Sequence, residues 1–280
     1  ERLTDHITDP DPHCPREVTH ILHPRQVVLA TGASERGLAF GNNDRPGVML
    51  AGALRSYACR YGVMAGGSAV LATCHDGTYE DAIILAGLGM EITLIDARNR
   101  KSRQYQAAIA AGITVLNGKV PVNVAGSSAV AGIEVADIDE KGVVDKVTTL
   151  IGCEVVGMSG GYSPVIHLPS HRGIKPRWEA SIQAFVTGQT SENIHVIGAA
   201  DGVFEASACI DHARQLCAKM TGKKLKKQVR RGIPGGMRPL FEIQIDGRKL
   251  KSFIDPQHDV TSEDIRQAHR EGFVSVEHMK

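Results

Sequence analysis

Two short apolar runs, far apart in the chain, end in the same way, and together they constrain the fold more than any other feature. Gln26-Val27-Val28-Leu29-Ala30-Thr31-Gly32 and Asn193-Ile194-His195-Val196-Ile197-Gly198-Ala199-Ala200-Asp201-Gly202 each pass from aliphatic residues into glycine and small side chains. A continuous apolar run of this length is the pattern of a parallel strand buried on both faces. A glycine at the carboxyl end lets backbone come within contact distance of a ligand. Open α/β sheets bind ligands at such strand ends. The two runs therefore read as halves of one site, with Ala30, Thr31, Gly32, Gly198, Ala199 and Asp201 as candidate cofactor contacts. A valine at Gly198 is expected to be tolerated, because a strand accommodates it well.

Between these runs the sequence carries a second β-α-β unit. Ser68-Ala69-Val70-Leu71-Ala72 reads as its first strand, residues 79–88 as a helix and residues 91–95 as the next strand, followed by Asp96. An acid about 20 residues beyond the turn is where a nucleotide-binding unit places its ribose-binding carboxylate. The turn, however, is Thr73-Cys74-His75-Asp76-Gly77-Thr78. Thr73, His75 and Thr78 replace the three glycines that permit the tight turn and the approach of a pyrophosphate. A structural unit without ligand is expected, the alternative being a modified site in which Asp96 still holds a ribose. A helix over 102–111, a strand over 113–116 and alternating strands over 119–149, with turns at Gly126-Ser127-Ser128 and Glu140-Lys141-Gly142, complete the unit as an antiparallel flap.

The remaining elements follow from spacing. Apolar residues at Val48, Leu50, Ala51, Leu54, Tyr57, Ala58 and Tyr61 predict a helix over 48–61 that links two domains. Residues 17–22 alternate weakly and predict an antiparallel strand. The run after Glu154 ends in Ser159-Gly160-Gly161, where Gly160 and Gly161 open the backbone either to a ligand or another subunit or to a plain turn. A helix is expected from Val203 to about Met220, its amide-rich start favouring phosphate charge. Near the end, Thr261 should cap a helix over 262–271, with Asp264 in the capping-box position and Gly272 as its stop.

Bulk properties exclude several classes. The 280 residues are 42% apolar and carry a net charge of +1, which suits a two-domain α/β protein and not a dedicated nucleic-acid binder. The six cysteines never form a Cys-x-x-Cys pair, so free thiols in a reducing cytoplasm are expected. No run approaches the roughly 20 apolar residues of a membrane span. His6, His13, Cys14, His20 and His23 match no compact ligand spacing, so no metal site is expected. The basic run Lys223-Lys224-Leu225-Lys226-Lys227 with Arg230-Arg231 is flanked by glycines and reads as a solvated linker. No paired carboxylates, Ser-His-Asp order or activated cysteine can be assigned, so no catalytic residue is placed on this chain.

Four motifs in combination carry a family resemblance: Ala30-Thr31-Gly32, Phe40-Gly41-Asn42-Asn43-Asp44-Arg45-Pro46-Gly47-Val48-Met49, Ser159-Gly160-Gly161-Tyr162-Ser163-Pro164-Val165, and the helix after Asp259-Val260-Thr261. Over residues 17–280 the chain resembles the α subunits of heterotetrameric sarcosine oxidases, whose fold is that of two-dinucleotide-binding-domain flavoproteins. The resemblance implies Rossmann-type sheets with antiparallel flaps. It divides the chain into a partial FAD-type dinucleotide-binding domain (1–60 and 159–222), an inserted NAD-domain-like unit (61–158), a linker (223–252) and the start of a small helical module (253–280). FAD proteins of this type place an acid directly after the late strand's glycine, where this chain has Ala199. The resemblance itself implies a non-covalent NAD, placed at the two strand ends, with FAD and FMN on or beside a partner β subunit. In related amine dehydrogenases the helical module binds an iron-sulfur cluster, but Asp255 and Gln257 stand at its thiolate positions, so no cluster is expected.

The resemblance further implies a hetero-oligomer of α, flavin-carrying β and smaller subunits in the cytoplasm. Its reaction would be oxidative demethylation of sarcosine to glycine and hydrogen peroxide, with the methyl carbon passed to tetrahydrofolate. The chain has no initiator methionine, and the first strand with its Gly-x-Gly-x-x-Gly loop is expected upstream of Glu1, with a folate-binding domain downstream of Lys280. On this reading it is a fragment, expected to be empty of NAD by itself because that loop supplies most pyrophosphate hydrogen bonds. The alternatives are the α subunit of an opine or hydroxyproline dehydrogenase or of a cyanide-forming glycine oxidase, or a non-catalytic scaffold that docks a flavoprotein.

Overall fold

The computed structural model describes residues 1–223, 229–233 and 236–276. In chain order its elements are β1 (Val27–Leu29), β2 (Ala33–Glu35), β3 (Val48–Leu50), α1 (Ala51–Tyr61), β4 (Ser68–Thr73), α2 (Gly77–Gly87), β5 (Glu91–Asp96), α3 (Arg103–Ala110) and β6 (Thr114–Asn117). Next come β7 (Lys119–Ala125), β8 (Gly132–Ile138), β9 (Val144–Ile151), β10 (Val155–Ser159), β11 (Tyr162–Pro164), α4 (His167–His171), β12 (Pro176–Glu179), β13 (Ala184–Thr187) and β14 (Ile194–Val196). A single 3-10 turn (Gly198–Asp201), α5 (Ala206–Met220), β15 (Phe253–Asp255), β16 (Val260–Thr261) and α6 (Ser262–Arg270) follow.

The centre is a parallel five-stranded sheet in the order β3-β10-β4-β5-β6. Its strands bury residues on both faces, as continuous apolar runs must. On β4, Ala69 and Leu71 pack with Leu54, Tyr79, Leu85 and Leu94 beneath α1, α2 and α3. Val70 and Ala72 point the other way, into a core with Val120, Val122, Ile133 and Val135 of the antiparallel sheet β7-β8-β9. Each fully buried Val, Leu or Ile among them contributes about 1.5–3 kcal/mol of transfer free energy. The unit read from 68 onward and its antiparallel flap are both present. Its helices end on local signals: the Ser102 hydroxyl accepts from the Tyr105 amide at α3, and Gly62, at φ +65°, closes α1.

Three expectations are corrected. Residues 48–50 are not helical: β3 lies parallel to β10, Val48 opposite Val156, so the linking helix begins only at Ala51 and belongs to the central sheet. The period-3.6 pattern concealed a strand too short to show its own period. Residues 17–22 form no strand; only Glu17 bridges Arg2, and Ile21 and Leu22 are exposed. The segment after α5 is no solvated linker where it is described. Ile233 packs with Ile182 and Val186, Ile243 and Ile245 enter the main core, and single bridges tie Gly232 to Val203, Met237 to His75 and Glu242 to Ala39. Residues 224–227 of the basic run and the chain end after 276 lie outside the described residues.

The two strands that opened the sequence reading pair with each other. β1 and β14 form a parallel two-stranded sheet, Val27 opposite Ile194 and Leu29 opposite Val196. At the other end of the chain, Thr261 caps α6 with the full capping box to Asp264, and Gly272 stops it at φ +93°.

Candidate functional site

The parallel register of β1 and β14 brings their carboxyl ends together: the Ile197 amide donates to the Leu29 carbonyl at 3.0 Å. Beyond that bond lie Ala30, Thr31 and Gly32 on one side and Gly198, Ala199 and Asp201 on the other. Thr31 fixes the turn by donating its hydroxyl to the Val165 carbonyl at 2.8 Å. Gly32 is at φ +78°, and a Cβ added there would meet nothing within 4 Å. Gly198 is at φ +66°, with Cys209 Sγ 3.7 Å from where a Cβ would stand. Gly32 thus faces open space, while a Cβ at Gly198 would touch Cys209.

Gly198 is nevertheless not a strand residue. The strand stops at Val196, and Gly198 takes a left-handed conformation to start the 3-10 turn, so valine there is strained by its backbone whatever the space. The helix expected from Val203 starts at Ala206, after a buried Val203 and a half-buried Phe204. Asp201 is already paired. Arg231 holds its Oδ1 at 2.6 Å from Nη2, and the Arg231 Nε also donates to the Asp201 carbonyl at 2.8 Å.

Gly160 and Gly161 stand elsewhere. Their partners are Arg36 and Gly37: the Gly160 amide donates to the Arg36 carbonyl, and the Arg36 amide to that of Gly161. A Cβ on Gly160 would meet the Gly37 carbonyl at 2.6 Å, and one on Gly161 would meet Met237 Sδ at 2.7 Å. The β2–β11 ribbon runs four residues from the Gly32–Val165 contact to the Arg36–Gly161 contact, about 13 Å at ~3.3 Å per residue. These glycines admit the chain's own backbone at the far end of the ribbon.

The turn of the inserted unit is filled by its own side chains. Thr73 and Thr78 share a hydrogen bond at 2.8 Å, and His75, fully buried, sits with Nε2 2.9 Å from Ser159 Oγ. The Gly77 amide donates to His75 Nδ1 at 3.0 Å, so Nε2 carries the proton and donates to Ser159. Burial, with Arg98 and Arg36 adding to it, holds the His75 pKa down at about 3. Asp96 has no exposed surface and both its oxygens are taken. Oδ1 accepts from the Arg98 amide and Nε, Oδ2 from Tyr79 and Arg98 Nη2. Arg98 also reaches Asp76 at 2.5 Å. Burial would lower the Arg98 pKa, but its bonds to Asp96 and Asp76 outweigh this and hold it above the ordinary value. A ribose at Asp96 would have to break this network.

Glu35 closes the neighbouring helix start in the same way. Its Oε2 accepts from the Gly52 amide at 2.9 Å at the first turn of α1, where a phosphate would otherwise be favoured. Burial raises its pKa, and its Oε1 has no hydrogen-bond partner among the described residues. Arg98 was within reach of sequence reasoning, two residues after Asp96; Glu35, Arg231 and His212 gave no local signal.

At the carboxyl-terminal module, Asp255 turns its Oδ2 to His258 Nδ1 at 2.8 Å and accepts the Gln257 amide on Oδ1, closing the loop on itself. Among the described residues no group of three or more His, Cys, Asp or Glu side chains is placed to hold a metal ion, and all six cysteines are free. No helix among them is long and apolar enough to cross a membrane.

Comparison with known proteins agrees with this architecture. Residues 249–280 match the family model described as "Sarcosine oxidase A3 domain". Sarcosine oxidase subunit alpha of Corynebacterium sp. (strain P-1) is 35% identical over 294 aligned residues, which cover 100% of this chain and 30% of that protein. Among solved structures, L-proline dehydrogenase from P. horikoshii superposes with a TM-score of 0.55 at 16% identity, over 91% of this chain and 48% of that one. Lactococcus lactis thioredoxin reductase gives 0.54 at 15% identity, over 70% and 65% respectively. The fold is the α/β fold of such reductases and dehydrogenases. Along its whole length the chain resembles sarcosine oxidase subunit alpha, over a region that amounts to 30% of that relative.

Proposed function

We propose that this chain is the nucleotide-handling region of the α subunit of an amine-oxidising flavoprotein complex, and that the complex oxidises sarcosine to glycine and hydrogen peroxide and passes the methyl carbon to tetrahydrofolate. The single observation that carries the reading is the similarity of the whole of this chain to a region amounting to 30% of sarcosine oxidase subunit alpha. In this reading NAD lies at the β1 and β14 ends, held by the backbone at Ala30, Thr31, Gly32, Gly198 and Ala199. The open space at Gly32 supports it. Asp201 contributes only if Arg231 gives up its carboxylate, and Gly160 and Gly161 are left to hold the Arg36–Gly37 backbone. A bound nicotinamide would supply hydride-accepting chemistry; in this reading the residues of this chain bind and orient it. FAD and FMN belong to a partner β subunit. The division into an outer domain (1–60 and 159–222) and an inserted unit (61–158) is part of the proposal, with β3 and α1 reassigned to the inserted unit.

The test uses the intact protein co-expressed with its neighbouring flavoprotein subunits. Sarcosine-dependent peroxide release is expected; turnover on an opine or D-hydroxyproline instead would sink the substrate assignment. For NAD, Gly32→Asn adds a side chain to the open cradle while keeping a residue that accepts positive φ. The variant should purify without NAD and melt close to the wild type. Stoichiometric NAD in that variant would move the site elsewhere.

A further inference from the structure

Gly198 is held on both sides. Its carbonyl accepts the Val203 amide at 3.1 Å and closes the 3-10 turn, while its amide donates to His212 Nδ1 at 3.2 Å. The parallel ladder ends one residue earlier, where the Ile197 amide donates to the Leu29 carbonyl, so the Gly198 N–H is the first backbone donor past it. A dinucleotide held there by backbone takes that donor for one of its oxygens. A side chain of α5 already occupies it.

The occupant is titratable, which sets a condition on the site. Imidazole accepts only on an unprotonated nitrogen, so the bond from Gly198 requires a neutral His212 with its proton on Nε2. That Nε2 stands 3.9 Å from Asp201 Oδ2, beyond hydrogen-bond reach but within ion-pair range once the ring is charged. Both side-chain bonds from Arg231 to Asp201 go to Oδ1, at 2.6 and 3.2 Å, so the guanidinium does not compete for Oδ2. His195 and Lys219 line the same cleft, and the His195 ring is tied to Gln26 at 2.7 Å. Burial holds the His212 pKa below its ordinary 6.5, with Asp201 opposing and Arg231 reinforcing. The ring is therefore neutral above that pH.

We propose that His212 gates the strand-end site: the neutral ring holds the Gly198 amide, and the protonated ring releases it to an oxygen of the dinucleotide and turns toward Asp201. The inference rests on the NAD reading and adds its regulation. NAD binding then takes up one proton from solvent, because the released ring faces a carboxylate and no longer accepts. Affinity rises as pH falls, on the order of tenfold per pH unit while that proton is coupled.

Two measurements on the intact protein separate the gate from its ligand. Hydrogen exchange without NAD, corrected for the intrinsic pH dependence, should show Gly198 protection that is constant near neutral pH and falls about tenfold per pH unit once the ring titrates. In His212→Asn, whose side-chain oxygen accepts but does not titrate, protection should stay constant; in His212→Ala it should be absent throughout. NAD titration from about pH 8 to about pH 5.5 should show wild-type affinity rising as pH falls. Both variants should bind without pH dependence, His212→Asn more weakly than His212→Ala, and His195→Gln should respond as the wild type does. Constant Gly198 protection in the wild type, a pH response that survives in His212→Asn, or pH-independent wild-type NAD binding overturns the gate and leaves the NAD reading standing. Release of the amide with no NAD binding at any pH overturns the NAD reading, and the gate with it.

Discussion

Replacing Arg98 by leucine tests whether the inserted unit's nucleotide turn is closed by its own ion network. The Arg98 side chain is 10% exposed and bridges Asp76 and Asp96, whose side chains are 3% and 0% exposed. Leucine fills much of the arginine stem's volume but leaves two carboxylates facing each other out of water. Breaking a buried pair by removing one partner costs about 3–5 kcal/mol, because an uncompensated charge remains. For a chain of this size each kcal/mol moves the midpoint by roughly 2–4 °C, so a fall on the order of 10 °C is expected by calorimetry or circular dichroism. The triple variant Arg98→Leu, Asp76→Asn, Asp96→Asn should recover at least half of it, since no charge is then stranded. A single variant melting within about a degree of the wild type would refute the reasoning, for the carboxylates would then be reaching water or another cation. NADH should fail to bind the wild-type turn; saturable binding that disappears in Asp96→Ala would show that the network opens for a ribose.

Other outcomes follow from the same contacts. Gly198→Val should destabilise by at least the ~1–2 kcal/mol of a left-handed non-glycine residue, whereas Gly198→Asn should cost little; equal melting of the two would show that Gly198 is not held at positive φ. His75, at about 3 against 6.5 in the unfolded chain, contributes stability that is present above pH 6.5 and lost as pH falls toward 3. Urea unfolding should show the wild type losing stability over that window relative to His75→Gln, and parallel curves would exclude the assignment. Ile243→Ala should cost about 2–5 kcal/mol as a core truncation, against almost nothing if residues 229–252 were solvated. Thr261→Ala should remove about 1 kcal/mol from α6, read as a lower melting temperature and faster amide exchange in that helix.

What the sequence disclosed depends on how local the governing physics is. The strands of the inserted unit were legible because both faces of a parallel sheet demand apolar residues, and β4 and β5 have them. The α6 cap was legible because Thr261, Asp264 and Gly272 act within a few residues of one another. That the turn carries side chains instead of three glycines was legible from Thr73, His75 and Thr78 themselves, and their mutual contacts follow from it. By contrast, β3 is three residues long and merges into the helical spacing of α1. Residues 241–245, Phe-Glu-Ile-Gln-Ile, do alternate as a strand would, but glycines and cations nearby drew the reading toward a linker. Asp201 and Arg231 meet across 30 positions through the tertiary fold alone, and no sequence spacing announces such a pair.

The closed strand ends bear on where any nucleotide can sit. A helix start attracts phosphate through unpaired amides and its dipole. At α1 the Gly52 amide already donates to Glu35, and at α2 the first turn is occupied by His75 and by Asp76 with its Arg98 partner. Each is an internal side chain where the ligand's charge would go, so a dinucleotide at this sheet would have to displace a buried carboxylate or imidazole and leave it without its hydrogen bonds. At β1 and β14 Gly32 faces open space, although Asp201 is matched by Arg231 and the Gly198 amide donates to His212 Nδ1. A proposed dinucleotide site at β1 and β14 is therefore tested at Gly32, where no internal side chain competes, and one at the inserted unit at Asp96, where a buried ion network does.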